Sequence, residues 1–128
     1  MTATIVSTST IRLLLAIALL LISYLAFTPM STPVVDEFND KFSHIVAFIA
    51  LAFLVDFSWP RSPWSLAKLI PLFAYGLLIE VVQAFMPHRI FSTWDLLADA
   101  LGLLIYPLLL PLLLHIPMLK RLRKDPTL

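Results

Sequence analysis

Six residues of this chain have the types and spacing to do chemistry in an apolar setting. Asp40 and His44 are four apart, Glu80 and Gln83 three apart, and Asp95 and Asp99 four apart. On helices each pair shares one face. A histidine flanked by carboxylates can move protons as a general acid or base, or it can hold a polar ligand through charge-assisted hydrogen bonds. Lys41 and Arg89 stand beside the same residues and suit a phosphate or carboxylate, with arginine able to contact it in a bidentate way. Glu80 is the most informative of the set. It interrupts the apolar run Leu77-Leu78-Ile79 and Val81-Val82, and a charged residue at mid-membrane costs roughly 2.5–3.5 kcal/mol on insertion scales. Asp99 is flanked in the same way by Leu97, Ala98, Ala100 and Leu101.

The elements that position these residues are helices. The chain has 128 residues, 60% of them hydrophobic and only 13% charged, whereas a soluble domain is about 45–50% apolar. A membrane must therefore act as solvent for most of the surface. Spans of about 20 apolar residues are needed, and four stretches qualify: about 11–27, 42–59, 66–86 and 96–117. No strand-type alternation is present, which argues against a β-barrel. The expected fold class is all-α, an integral membrane four-helix bundle forming a single domain over residues 1–128. The first segment reads as a span and not a signal peptide, because Ala26-Phe27-Thr28-Pro29 makes a poor cleavage site. Cysteine is absent, so thiolate nucleophiles, thiolate metal ligands and disulfides are excluded.

Lysine and arginine give the expected orientation. Arg12, then Arg61 and Lys68, then Lys120, Arg121, Arg123 and Lys124 fall on one side of a four-span arrangement, and only Lys41 and Arg89 on the other. Both termini are expected in the cytoplasm, in a bacterial inner membrane. The pairs named above then lie in the outer third of their helices. Glu80 sits roughly 10 Å below the outer end of the third helix, and His44 and Asp99 about one turn below theirs, by the helical rise. The second, third and fourth helices are expected to bring them into one outward-facing pocket.

Local signals mark the helix ends. Asn39 can cap the second helix, and Ser92-x-x-Asp95 fits a capping box for the fourth. Pro71 lies one turn into the third helix, while Pro107 and Pro111 should bend or loosen the inner half of the fourth. The first ten residues read as frayed, and Arg121–Leu128 as a basic tail. Asp56 reads as an inner-end residue near Arg61, His88 as a solvated loop residue and His115 as interfacial, all three outside the cluster. Close helix contacts are expected chiefly at alanines, with Gly76 and Gly102 the only glycines.

These residues in this order resemble the VanZ-like family of small membrane proteins. Asp40-Lys41-x-x-His44, Glu80-x-x-Gln83-x-x-x-Pro87-x-Arg89 and Ser92-x-x-Asp95-x-x-x-Asp99-x-x-Gly102 carry the resemblance, which covers about Phe38 to Leu104. Asp99 stands where the family often has asparagine, and His88 where it often has a small turn residue. The family is named for a protein linked to teicoplanin resistance in Gram-positive bacteria. The resemblance implies a membrane fold and a polar motif, and no reaction.

The residues leave several functions open. A binding protein would hold the head group of a membrane lipid or lipid-linked envelope precursor, with Asp40, Lys41, Gln83, Arg89 and Asp95 as ligand contacts. An intramembrane enzyme acting by hydrolysis or group transfer would use His44, Glu80 and Asp99, with His44 oriented by Asp40 or Asp99. A metal held by His44, Glu80 and Asp99 is a weaker variant, since zinc sites usually carry more than one histidine; no metal or other cofactor is expected. A proton or ion relay would need polar continuations in the inner half, and a purely structural subunit would need none of this chemistry. Nucleic acid is not an expected partner, and oligomeric state is not legible.

Overall fold

In the computed structural model, which describes residues 6–28, 37–87 and 91–124, every regular element is helical. Their order is α1 (Thr8–Phe27), α2 (Glu37–Ser58), α3 (Leu66–Ala84), α4 (Thr93–Leu113) and α5 (Pro117–Lys124). The first four run up and down. All four carry a stretch long and apolar enough to cross a membrane, in α2 from Asp40 onward. One end of the bundle, the basic end, gathers the start of α1, the end of α2, the start of α3 and the whole of α5. The opposite end holds the Asp40–Lys41 turn of α2, the last turn of α3 and the first turn of α4.

Several boundaries differ from the sequence expectation. Ser7 caps α1, its hydroxyl accepting from Thr10 N–H at 3.2 Å, so residues 8–10 are helical and not frayed. α2 begins at Glu37, which puts Asn39 inside the helix and not at its cap. α4 passes through Pro107 and Pro111 as continuous helix and stops at Leu113, short of Pro117. The described part of the basic tail, 121–124, is helical. Pro117 opens α5 at the first helical position, where its missing N–H costs nothing. Leu119 and Leu122, three apart, turn inward and are buried with Ile11 and Phe57.

α2 is the hub, packed against α1, α3, α4 and α5 and most extensively against α4. Its Phe48, Leu51 and Ala52 meet Leu15, Leu72, Leu103 and Tyr106 in the central apolar core. Glycine makes the α2–α4 approach possible. A Cβ on Gly102 would stand 2.6 Å from the Ile45 carbonyl oxygen, a backbone atom that cannot swing aside. Gly76 stands at a similarly close approach, where a Cβ would come within 3.0 Å of the Phe48 ring. α1 is mostly lipid-facing in character, burying only Ile11 and Leu15, and it touches α3 sparingly.

Candidate functional site

The polar residues at the end opposite α5 converge. His44 sits one turn into the spanning part of α2 and its Nδ1 lies 2.8 Å from Asp99 Oδ1 on α4. That contact can form because Gly76 of α3 leaves room: a Cβ there would come within 2.7 Å of Asp99 Oδ2. His44 Nε2 is 3.8 Å from Asp95 Oδ2. Lys41 donates to Asp95 through a short contact and to Asp40 at 3.3 Å. The ligand atoms of Asp40, His44 and Asp95 lie within 4.8 Å of one another, close enough to share a cation. The Lys41 ammonium already bridges two of those three groups, so its charge is the cation the carboxylates face.

Glu80 is fully buried. Its Oε2 accepts from Ser92 N–H at 3.0 Å, and its carboxyl group stands beside Asp95, while Oε1 has no hydrogen-bond partner of ordinary geometry among the described residues. This arrangement splits the expected capping box. Ser92 Oγ accepts from Asp95 N–H at 3.3 Å as such a box requires. The reciprocal acceptor for the Ser92 N–H is Glu80 from α3, not Asp95. Asp95 is thereby freed to meet Lys41 and His44.

Gln83 is buried and spends its amide N–H on the Ala26 carbonyl at 2.8 Å, tying α3 to the end of α1. A cavity of about 320 Å³ opens beside it. Asp40, Ser43, His44, Gln83 and Asp99 supply its polar wall, and Ile22, Leu25 and Ala26 of α1 close one side. The first helix, given no part in the pocket by sequence reasoning, is therefore one of its walls. Lys41 lines a different surface hollow, with Ser92, Trp94 and Leu97. Arg89 and His88 lie outside the described residues.

A second polar cluster occupies the basic end. Asp56 is fully buried, and its carboxylate collects three helices. Lys68 of α3 donates to Oδ1 at 2.6 Å. Tyr106 of α4 donates to Oδ2 at 2.6 Å. Arg123 of α5 reaches both oxygens, at 3.2 and 2.5 Å. Lys68 also donates to the carbonyls of Asp56, Trp59 and Ser62. Arg12 of α1 donates to the Ser58 carbonyl at 2.9 Å and stacks on Trp59. Asp56, expected at a helix end near Arg61, thus belongs to a lock among helices whose donors are Lys68, Tyr106 and Arg123. The spacing held the signal: Asp56 follows Ala52-Phe53-Leu54-Val55 directly and Lys68 sits within Leu66-Ala67-Lys68-Leu69, two opposite charges in apolar runs on consecutive helices.

The two clusters do not connect. His44 and Asp56 are separated by twelve residues of α2, about 18 Å, and the layer between them is the apolar core of Phe48, Leu51, Ala52, Leu72 and Leu103.

No curated protein and no solved structure matches the chain significantly. A model of the VanZ/LLP1 family does match, over residues 5–114. That span takes in all four membrane-crossing helices and both ends of the polar motif, so the chain is a multi-pass membrane protein that belongs to the VanZ/LLP1 family.

Proposed function

We propose that this protein binds the polar head group of an envelope lipid or lipid-linked precursor at the outer face of a bacterial cytoplasmic membrane. The reading takes residues 1–128 as one domain with both termini in the cytoplasm. Its orientation rests on Arg12, Arg61, Lys68 and the α5 cations gathering at the end opposite the His44 cluster, as the positive-inside rule requires. The observation that carries the function is the cavity of about 320 Å³ whose polar wall is Asp40, Ser43, His44, Gln83 and Asp99, set among otherwise apolar helices. That volume falls at the lower end of the range for small-molecule sites, about 300–1,000 Å³. Its chemistry favours a ligand rich in donors. Asp40 and Asp99 accept, and one of the two Gln83 amide N–H groups is already committed to Ala26. Amines and hydroxyls fit this wall better than a bare phosphate. Lys41, held by Asp40 and Asp95, sets the charge of the rim; Arg89 in the α3–α4 connection remains the candidate phosphate contact.

Lipid-resolved mass spectrometry of the purified protein tests this. Retained lipids bearing amine or hydroxyl head groups should be lost several-fold in Asp40→Asn and His44→Ala. An unchanged lipid profile in both variants would sink the proposal.

One observation favours a second reading. Asp99 fixes His44 through Nδ1, the arrangement that leaves the other ring nitrogen available as a general base. An enzyme of this type would hydrolyse or transfer a group on a lipid-linked substrate, and its turnover would vanish in His44→Ala. Glu80, turned toward Ser92, would then be a positioning residue rather than the second acid.

A further inference from the structure

Below the polar cavity α1, α2 and α3 line a second one. It measures about 530 Å³ and is lined by Leu15 and Leu19 of α1, Val55 and Trp59 of α2, and Leu72 and Tyr75 of α3. Ser62 and Lys68 border its lower edge, and the Lys68 ammonium and the Ser62 carbonyl are already committed within the protein. Lys68 donates to Asp56 and to three carbonyls, one of them that of Ser62. The Ser62 carbonyl also accepts from Arg123 at 3.1 Å. The lower cavity therefore accepts hydrocarbon.

The partition between the two spaces is thin. Phe48 lines the upper cavity and Tyr75 the lower, and their rings are 6.5 Å apart, centroid to centroid. The Tyr75 hydroxyl crosses the seam to α1, donating to the Leu19 carbonyl at 3.1 Å and pairing with Ser23 Oγ at 2.6 Å. Elsewhere α1 and α3 touch sparingly. A polar chamber stacked on an apolar one, both between α1 and α3, matches one kind of occupant: an amphiphile with its head outward and a hydrocarbon chain pointing inward.

We infer that the α1–α3 seam is a lateral lipid slot, in which the lower cavity takes one hydrocarbon chain of the lipid and Tyr75 is the crossbar over it. The inference rests on the head-group reading above for the identity of the lipid, and on the lower cavity alone for the chain.

The test is photocrosslinking in nanodiscs of phosphatidylcholine doped with phosphatidylethanolamine, or separately with phosphatidic acid, whose head group is a bare phosphate, each carrying a diazirine in mid-chain. Labelled positions are then mapped by peptide mass spectrometry. Adducts should concentrate on Leu15, Leu19 and Leu72, several-fold above those on Leu104 and Leu108, which lie on the exposed face of α4. Ala67→Trp fills the slot from an exposed position and should remove the excess at the seam while leaving α4 labelling unchanged. Tyr75→Phe should raise seam labelling by about fivefold, the equivalent of one net hydrogen bond. Seam labelling no higher than that of α4, or an excess that survives Ala67→Trp and does not respond to Tyr75→Phe, overturns the slot. Seam labelling that is strong but equal for the two head groups upholds the slot and overturns the head-group selectivity proposed above.

Discussion

Single side chains at the two ends of this protein do opposite things with a buried carboxylate. Asp56 has both oxygens saturated by Lys68, Tyr106 and Arg123. Removing one partner of such a buried pair leaves a charge uncompensated, at about 3–5 kcal/mol. Asp56→Asn should therefore destabilise the protein by about that amount, read from unfolding in detergent micelles against a lipid-binding assay on the surviving folded fraction. Glu80 differs: one oxygen holds the α4 cap and the other has no partner among the described residues. Glu80→Gln keeps the acceptor for Ser92 and adds an N–H beside Asp95. It should change stability by less than about 1 kcal/mol, the scale of one net hydrogen bond. Glu80→Ala should cost about 2–4 kcal/mol, because it orphans the Ser92 N–H and opens a cavity. If Gln and Ala proved equally damaging, Glu80 would owe its place to its charge and not to its role as a cap.

At the scale of elements, the α2–α4 contact sets the site. Gly102 lets the two backbones meet at Ile45, one turn from the His44–Asp99 pair. Gly102→Ala must push α4 outward, and the His44–Asp99 hydrogen bond should lengthen with it. The expected outcome is a loss of about 1–3 kcal/mol, typical of overpacking, together with weakened lipid retention. Gly76→Ala should displace the Asp99 carboxylate and crowd the Phe48 ring while leaving the Gly102–Ile45 backbone approach intact, so it perturbs the site from the α3 side. Much of this was legible in the sequence. The four spans follow from apolar runs of near-membrane length, and the cap at Ser92 from its spacing to Asp95. The clustering of Asp40, His44, Asp95 and Asp99 follows from helical periodicity and a shared depth. What was not legible depended on contacts between helices: Glu80 completing a cap that belongs to another helix, α1 walling the pocket, and Gln83 spent on Ala26. α5 was hidden for a different reason. Its two leucines are few among the cations of a short segment, and only the Leu119–Leu122 spacing with Pro117 at the start marks a face.

At the scale of the whole molecule, the protein has a polar centre near each membrane face and an apolar layer between. That layer argues against a proton path through one chain, since His44 and Asp56 stand about 18 Å apart with Phe48, Leu51, Ala52, Leu72 and Leu103 between them. Flat pH traces in liposomes reconstituted with the purified protein are the expected result. α5 is the remaining whole-molecule feature, because it closes the basic end over the Asp56 cluster. Arg123→Ala leaves Lys68 and Tyr106 in place, so it should cost less than Asp56→Asn, about 1.5–3 kcal/mol for charge-assisted hydrogen bonds. Equal losses would mean that Arg123 alone neutralises Asp56.

The Asp56 lock also has a consequence in time. Its partners arrive in chain order: Lys68 with the third helix, Tyr106 with the fourth, and Arg123 within the last turn of α5. Asp56 is synthesised before any of these partners. A chain that stops early, or inserts its fourth span in the wrong direction, strands the carboxylate without its full set of donors. The set of donors is complete only once α3 and α4 have packed against α2 and the chain has been made through Arg123.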